Sequence, residues 1–451
     1  MKTKIKNIFK DDLLKKGLSD SGYYTLANIG SKALGLLIIP ILARSVSVEE
    51  FANYDLFLII SAFLQIFVIL GIDSGIAILM AESKNDNIRL SFFYVSSLFI
   101  SLSLLFVCSL LFGIIFLFVD ELFLLSQDIW ELIGLFILSN IINYHTFNFL
   151  RWREEAKKAS FINLFAYFLG VTIGLSFLYF EETVYFYLLG LVIGSFIGSF
   201  FSLYIARKYI FQFKIIEGYK EQLKELFKLS LPFVPNYLGN NLMQMADRIV
   251  ILMLFGKYEL GLYAVIMRLA QIPQFIIGTI SGGFLPVMYN NYKTKEGAKL
   301  IKNFFHFYLF IIPVSFVVFY LFSDWAVLMF GGEEYLVSAY LLPMALVSIL
   351  FVNGTQSCGF GFTIKRKTHY IMYITFLSVF INFILSIGFG FWFGLAGVFL
   401  GTLIAGIIRV YMHMSYSEKL YSFGYSMKYF AVISILVFIL SISSYIFKSS
   451  I

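Results

Sequence analysis

Thirteen apolar runs of bilayer-crossing length constrain this chain more than any other feature. They lie near 22–43, 54–80, 91–118, 129–150, 160–180, 184–206, 230–255, 258–289, 301–323, 335–358, 370–392, 395–413 and 428–447. A helix needs about 20 residues to cross hydrocarbon. The segments between the runs are strongly asymmetric in charge. With the N-terminus inside, the inner segments hold twenty-seven of the 34 Lys and Arg. The outer ones hold only Arg44, Lys257 and Lys448, and four more, Lys32, Arg248, Arg268 and Arg409, fall within spans. Excess Lys and Arg marks the cytoplasmic side, and a missed or extra span would scramble the pattern. The outer segments are acidic, with Asp120, Glu121, Glu181, Glu182, Asp324, Glu333 and Glu334. The expectation is an all-α polytopic membrane protein with a cytoplasmic N-terminus. Its net charge of +7 belongs to this distribution and not to nucleic-acid binding.

Residues are 60% hydrophobic and 14% charged, against about 25% charged in soluble domains. The run at 22–43 is too long for the apolar core of a signal peptide, so no cleavable leader is expected. Residues 1–21, with Lys2, Lys4, Lys6, Lys10, Lys15 and Lys16, read as a basic arm against anionic headgroups. Cys108 and Cys358 stand alone in apolar runs and four histidines are scattered, which indicates no metal centre or disulfide framework. No cofactor is expected. No connecting segment is large enough for a soluble catalytic domain, so the chain reads as a non-enzyme.

The chain restarts at 228–270. Pro232 and Pro235 open an apolar run that nevertheless carries Asn236, Asn240, Gln244 and Asp247, spaced to form one helical stripe, with Asn241 and Arg248 beside it. Such a stripe should face protein or water rather than lipid. The turn that follows, Lys257-Tyr258-Glu259-Leu260-Gly261-Leu262-Tyr263, repeats Val48-Glu49-Glu50-Phe51-Ala52-Asn53-Tyr54 in its glutamate, small residue and tyrosine. Both copies join two membrane-length runs, which points to an internal duplication. The resulting organisation is a basic arm (1–21), a six-span lobe (22–206), a basic amphipathic linker (207–229), a second six-span lobe (230–413) and a loop with an additional span (414–451).

Charge within spans normally faces a cavity or a partner, because it costs about 2.5–3.5 kcal/mol at a helix centre. Lys32 and Asp73 are equidistant from the first repeat turn, and Asp247 and Arg268 from the second. Straight antiparallel helices would place each cation and anion at one depth, Lys32 lying about 18 Å below Arg44. Two readings stay open: ion pairs that lock hairpins, or a polar, partly cationic cavity. The stripe favours the cavity, since an ion pair does not need a polar helix face. Arg409, near the inner end of its span, is expected to snorkel. The loop 81–89 lacks the glycines of a major-facilitator signature.

Asn28…Lys32-Ala33-Leu34-Gly35, Ala43-Arg44…Glu50-Phe51…Tyr54 and Gly71-Ile72-Asp73-Ser74 resemble the N-terminal signature of bacterial polysaccharide biosynthesis proteins. Pro232-Phe233-Val234-Pro235, Ala246-Asp247-Arg248, Gly256 and Gly261-Leu262-Tyr263 resemble the second-half signature. These are the O-antigen and capsule flippases of the multidrug/oligosaccharidyl-lipid/polysaccharide exporter superfamily. The resemblance spans about 20–415. It implies twelve core helices in two six-helix lobes around a central cavity, with the thirteenth outside that pattern. It further implies translocation of undecaprenyl-pyrophosphate-linked oligosaccharide to the outer leaflet by alternating access, with membrane lipids and other polysaccharide-assembly proteins as partners and H⁺ or Na⁺ as coupling ion. Related lipid II flippases use arginines on helices 1, 2 and 8. Lys32 and Arg268 match the first and third, whereas helix 2 offers Asp73. The cavity set is then Lys32, Arg268, Asn236, Asn240, Gln244 and Arg248, with Asp73 and Asp247 for ion pairing or ion coupling. The competing reading is a cation-coupled multidrug exporter of the same superfamily, whose cavity would suit cationic amphiphiles.

Overall fold

The computed structural model describes residues 12–83, 86–118 and 125–449. The first half of the basic arm and the outer acids Asp120 and Glu121 lie outside the described residues. Within them the chain is helical, with no strand. The helices are α1 (Asp12–Ser45), α2 (Val48–Ile69), α3 (Ile72–Glu82), α4 (Asn87–Phe118), α5 (Gln127–Trp152), α6 (Ala156–Phe180), α7 (Val184–Phe211) and α8 (Tyr219–Ser230). There follow α9 (Val234–Phe255), α10 (Lys257–Asn291), α11 (Lys295–Phe330), α12 (Leu342–Asn353), α13 (His369–Leu420) and α14 (Met427–Ser449). Among the described residues, nine helical stretches are long and apolar enough to cross a membrane. Helices α1, α5 and α9, at 34, 26 and 22 residues, are also long enough to cross hydrocarbon.

One of the expected spans is shaped differently from a straight rod. The run 54–80 breaks after α2, where Leu70 and Gly71 take φ of 48° and 68°. A side chain at Gly71 would lie 2.6 Å from the carbonyl oxygen of Ser230, so only glycine fits that left-handed turn. The runs 370–392 and 395–413 are two separate helical arms of α13, as expected, which fold back on each other at Gly394 (φ 61°, ψ −142°): a Cβ at Gly401 would lie 2.7 Å from the Ser386 nitrogen, and Ser386 Oγ donates to the Val398 carbonyl at 3.5 Å.

The chain divides into two compact units. One comprises 1–38 and 56–237, the other 39–55 and 238–451. The first unit has a core in which Ile72, Ile76 and Met80 of α3 meet Phe92 and Phe93 of α4, Phe149 and Leu150 of α5, and Leu226 of α8. Helix α8 is amphipathic: Leu226 is buried while Lys220, Lys224 and Lys228 are exposed. Helices α6 and α7 are in backbone contact, since a Cβ at Gly194 would lie 2.6 Å from the Cα of Gly170. Small residues allow this approach where lipid tails supply no hydrophobic drive.

In the second unit α12 is the central helix. Every residue from Leu342 to Phe351 is buried, as expected of a helix apolar on all faces. The two repeat turns pack together here. A Cβ at Gly261 would lie 2.0 Å from the carbonyl oxygen of Val48. The small residue shared by the repeat is therefore a point of backbone contact between its two copies.

Candidate anion site and buried polar clusters

Three charged side chains converge in the second unit. Arg248 of α9 donates through Nε to Asp55 Oδ2 at 2.6 Å. Arg268 of α10 donates through Nη2 to Asp55 Oδ1 at 3.1 Å. Side-chain exposure is 2% for Asp55, 5% for Arg248 and 21% for Arg268. Arg248 also donates to the Gln244 carbonyl at 2.7 Å. The repeat tyrosines complete the cluster: the Arg268 guanidinium sits 4.8 Å above the Tyr54 ring and that of Arg248 5.4 Å from Tyr263. Such stacking stabilises a cation where water is scarce. Two guanidiniums share one carboxylate, so the cluster keeps an excess positive charge, and Arg268 is its most exposed member.

The expected pairing of Asp247 with Arg268 is not what forms. Asp247 lies in a buried cage of neutral donors: Asn382 Nδ2 at 2.7 Å to Oδ1, the Tyr263 hydroxyl at 3.1 Å to Oδ2, and the Thr402 hydroxyl at 3.0 Å from both oxygens. Equal depth fixes height but not direction around a helix. Tyr263, which faces Asp247, precedes Arg268 by five residues, a rotation of about 140°. Arg268 therefore turns to Asp55. The pairing of Asp73 with Lys32 fails for a related reason, because it assumed a straight second span. The break at Gly71 places Asp73 on α3, where Oδ2 accepts from the Tyr237 hydroxyl at 3.3 Å and Oδ1 is buried and makes no well-formed hydrogen bond. Lys32 lies exposed on α1.

The α9 stripe does not act as one face. Asn240 accepts from Arg409 Nη2 at 3.0 Å, Gln244 is exposed, Asp247 is buried, and Asn236 is half-buried at the head of the helix. Arg409 does not snorkel. Its side chain is buried, with Nη2 also donating to Thr375 at 3.2 Å and Nη1 to the Val352 carbonyl at 3.4 Å. These groups make burial tolerable for a charge that would otherwise seek the interface. Asp55, Tyr263, Asn382, Thr402 and Arg409 are thus the site residues missed from sequence. Asp55 had one visible signal, an acid directly after the repeated tyrosine. Asn382 and Thr402 had none beyond being polar in apolar runs.

Comparison with solved structures identifies the fold. Over 88% of this chain and 95% of the other, it superposes with a TM-score of 0.66 and 18% identity on the inward-facing form of a multidrug resistance MATE-family transporter of the MOP superfamily. Over 95% of this chain and 98% of the other, it superposes with a TM-score of 0.65 and 18% identity on the lipid II flippase MurJ. The fold is that of these multi-pass membrane transporters. The sequence profile of the polysaccharide biosynthesis protein family matches residues 18–292, and the chain belongs to that family. A Haemophilus influenzae protein of the Lsg locus is 24% identical over 346 residues, covering 74% of this chain and 81% of its own. The capsular polysaccharide biosynthesis protein CapF of Staphylococcus aureus is 26% identical over 340 residues, covering 73% and 81%.

Proposed function

We propose that this protein is a flippase that carries undecaprenyl-pyrophosphate-linked oligosaccharide repeat units from the inner to the outer leaflet of a bacterial plasma membrane. The observation that carries the reading is the Arg268–Asp55–Arg248 cluster, a net-cationic group on membrane-length helices with one guanidinium accessible. A pyrophosphate headgroup bearing sugars is excluded from hydrocarbon, and a fixed cationic site replaces its water shell. Arg268 meets the pyrophosphate, and Lys32 is the cation of the first unit proposed to attract the same group. Asn236, Asn240 and Gln244 supply neutral hydrogen-bonding groups along the sugar path, and Arg248 holds Asp55 in place. Alternating access exposes the site to each leaflet in turn. Outward movement of negative charge is favoured by an inside-negative potential, by about 2.3 kcal/mol per charge per 100 mV. The Asp247 cage is the place for a coupling H⁺ or Na⁺, since the hydrogen bonds to its carboxylate come from neutral donors.

The test is a deletion strain complemented with wild type, Lys32→Ala, Arg268→Ala and Asp247→Asn, scored for surface glycan and for accumulated lipid-linked repeat units. Loss of surface glycan with accumulation of the intermediate, in each variant at normal expression, is the expected result. Normal flipping by both Lys32→Ala and Arg268→Ala removes the cationic-site assignment. Normal glycan in the deletion strain with new sensitivity to cationic drugs turns the reading to a multidrug exporter, with Asp73 and Asp247 as the residues to follow.

A further inference from the structure

A second set of buried titratable groups lies in the first unit, away from the arginine cluster. His145 of α5 is 3% exposed, and its Nε2 is 2.8 Å from the Ser101 hydroxyl of α4. A cavity of about 10 Å³ is lined by both His145 and Asp73, with Ser97 and Asn148 also on its wall. That volume admits one water molecule, which needs two to four polar partners to be held. Asp73, Ser97, His145 and Asn148 are four such groups on three helices. The Oδ1 atom of Asp73 is buried and makes no well-formed hydrogen bond, with the Tyr144 hydroxyl beside the carboxylate, while its Oδ2 accepts from Tyr237. A buried, hydrogen-bond-hungry carboxylate oxygen beside a one-water cavity with an imidazole on its wall is the geometry of a shared proton.

We propose that Asp73 and His145 form a proton site, in which one proton passes between the carboxylate and the imidazole through a single water in this cavity. Taken up on Asp73, the proton leaves a neutral carboxyl group. Handed through the water to His145, it leaves a carboxylate facing an imidazolium that Ser101 steadies from the other side. The transfer balances without a co-reactant. Among the described residues, the titratable and charged groups around the pair are the phenols of Tyr94 on α4, Tyr144 on α5 beside Asp73 and Tyr237 at the head of α9, and the Arg153 guanidinium 6.0 Å from the Phe149 ring on the cavity wall. Helix α8 presents Leu226 and Ser230 to α3, and α7 places Tyr209 against Phe149. The proposal rests on the transporter reading above and assigns the first unit a proton of its own, distinct from whatever ion the Asp247 cage takes.

The test needs no glycan. Full-length protein in lipid nanodiscs is titrated with pH while infrared difference spectra follow carboxyl protonation. A carboxyl band lost in Asp73→Asn is the Asp73 signal. In His145→Gln its pH midpoint is expected to move by about one unit or more, as coupled groups do. A midpoint unchanged by His145→Gln overturns the proposal, as does the lack of any band assigned to Asp73. Should His145→Gln fail to fold, ring-¹⁵N histidine spectra of the wild type decide, since only four imidazoles are present. A His145 resonance that titrates in step with the Asp73 band supports the site. One that stays neutral while Asp73 titrates sinks it. A failed flipping assay with this titration intact would remove the cargo and leave the proton site standing.

Discussion

Asp55→Ala should be among the most damaging single substitutions in the second unit. The carboxylate is 2% exposed and bonded to Arg248, itself 5% exposed, at 2.6 Å. Its removal leaves a buried guanidinium without the carboxylate it is bonded to, and breaking a buried pair from one side costs about 3–5 kcal/mol. Arg268→Ala is a different perturbation. It leaves Asp55 bonded to Arg248, and it deletes a contact made by a side chain that is 21% exposed. The expected cost is that of one charged hydrogen bond, at most about 1.5–3 kcal/mol. Asp55→Ala combined with Arg248→Met removes both buried charges and substitutes apolar volume, so it should recover much of the loss. Thermal unfolding in one detergent, followed by tryptophan fluorescence, ranks the four proteins. The expected order is wild type, Arg268→Ala, the double variant close to it, and Asp55→Ala last. If Arg268→Ala costs as much as Asp55→Ala, or if Arg248→Met fails to rescue, the cluster is not held together as described.

Two further outcomes follow from the geometry. Gly261→Ala should abolish folding or lower the unfolding temperature strongly, because a Cβ would sit 2.0 Å from the Val48 carbonyl oxygen, against the roughly 3.3–3.6 Å of ordinary carbon–oxygen contact. Expression and melting of Gly261→Ala beside Gly278→Ala, where nothing lies within 4 Å, check it. Glu155, in the turn between α5 and α6, is pushed up by burial but held below the ordinary carboxylate range overall by Lys158 at 2.7 Å, Tyr209 at 2.8 Å and Arg153 at 3.2 Å. A lowered folded-state pKa contributes stability at neutral pH that is lost as pH falls, here from about pH 5 downward. The melting difference between wild type and Glu155→Gln should therefore shrink on acidification, and a constant difference refutes the contribution.

The helical membrane class was legible because hydrocarbon admits few alternatives to apolar helices, and the charge asymmetry of the connecting segments reinforced it. The repeat was legible as a pattern of glutamate, small residue and tyrosine. The packing of Gly261 on Val48 gives one physical reason for the small residue, and the arginines over Tyr54 and Tyr263 give one for the tyrosine. The pairing of charges was not legible. Symmetry about a turn predicts depth, and depth leaves the angular position of Arg268 undetermined. A single left-handed glycine, Gly71, was enough to move Asp73 off the line of its helix. Arg409 was misread because snorkelling depends on what lies beside a helix end. Its partners Asn240 and Thr375 are 169 and 34 residues away.

The cluster at Asp55 also has a history in time. Its partners follow it by 193 and 213 residues. At about 5–20 residues per second, roughly 10–40 s of synthesis separate the acid from its first arginine. Throughout that interval α2 resides at the translocon or in lipid with an uncompensated carboxylate. Completion of the second unit is therefore a delayed event of biogenesis, in which later helices neutralise a charge inserted among the first.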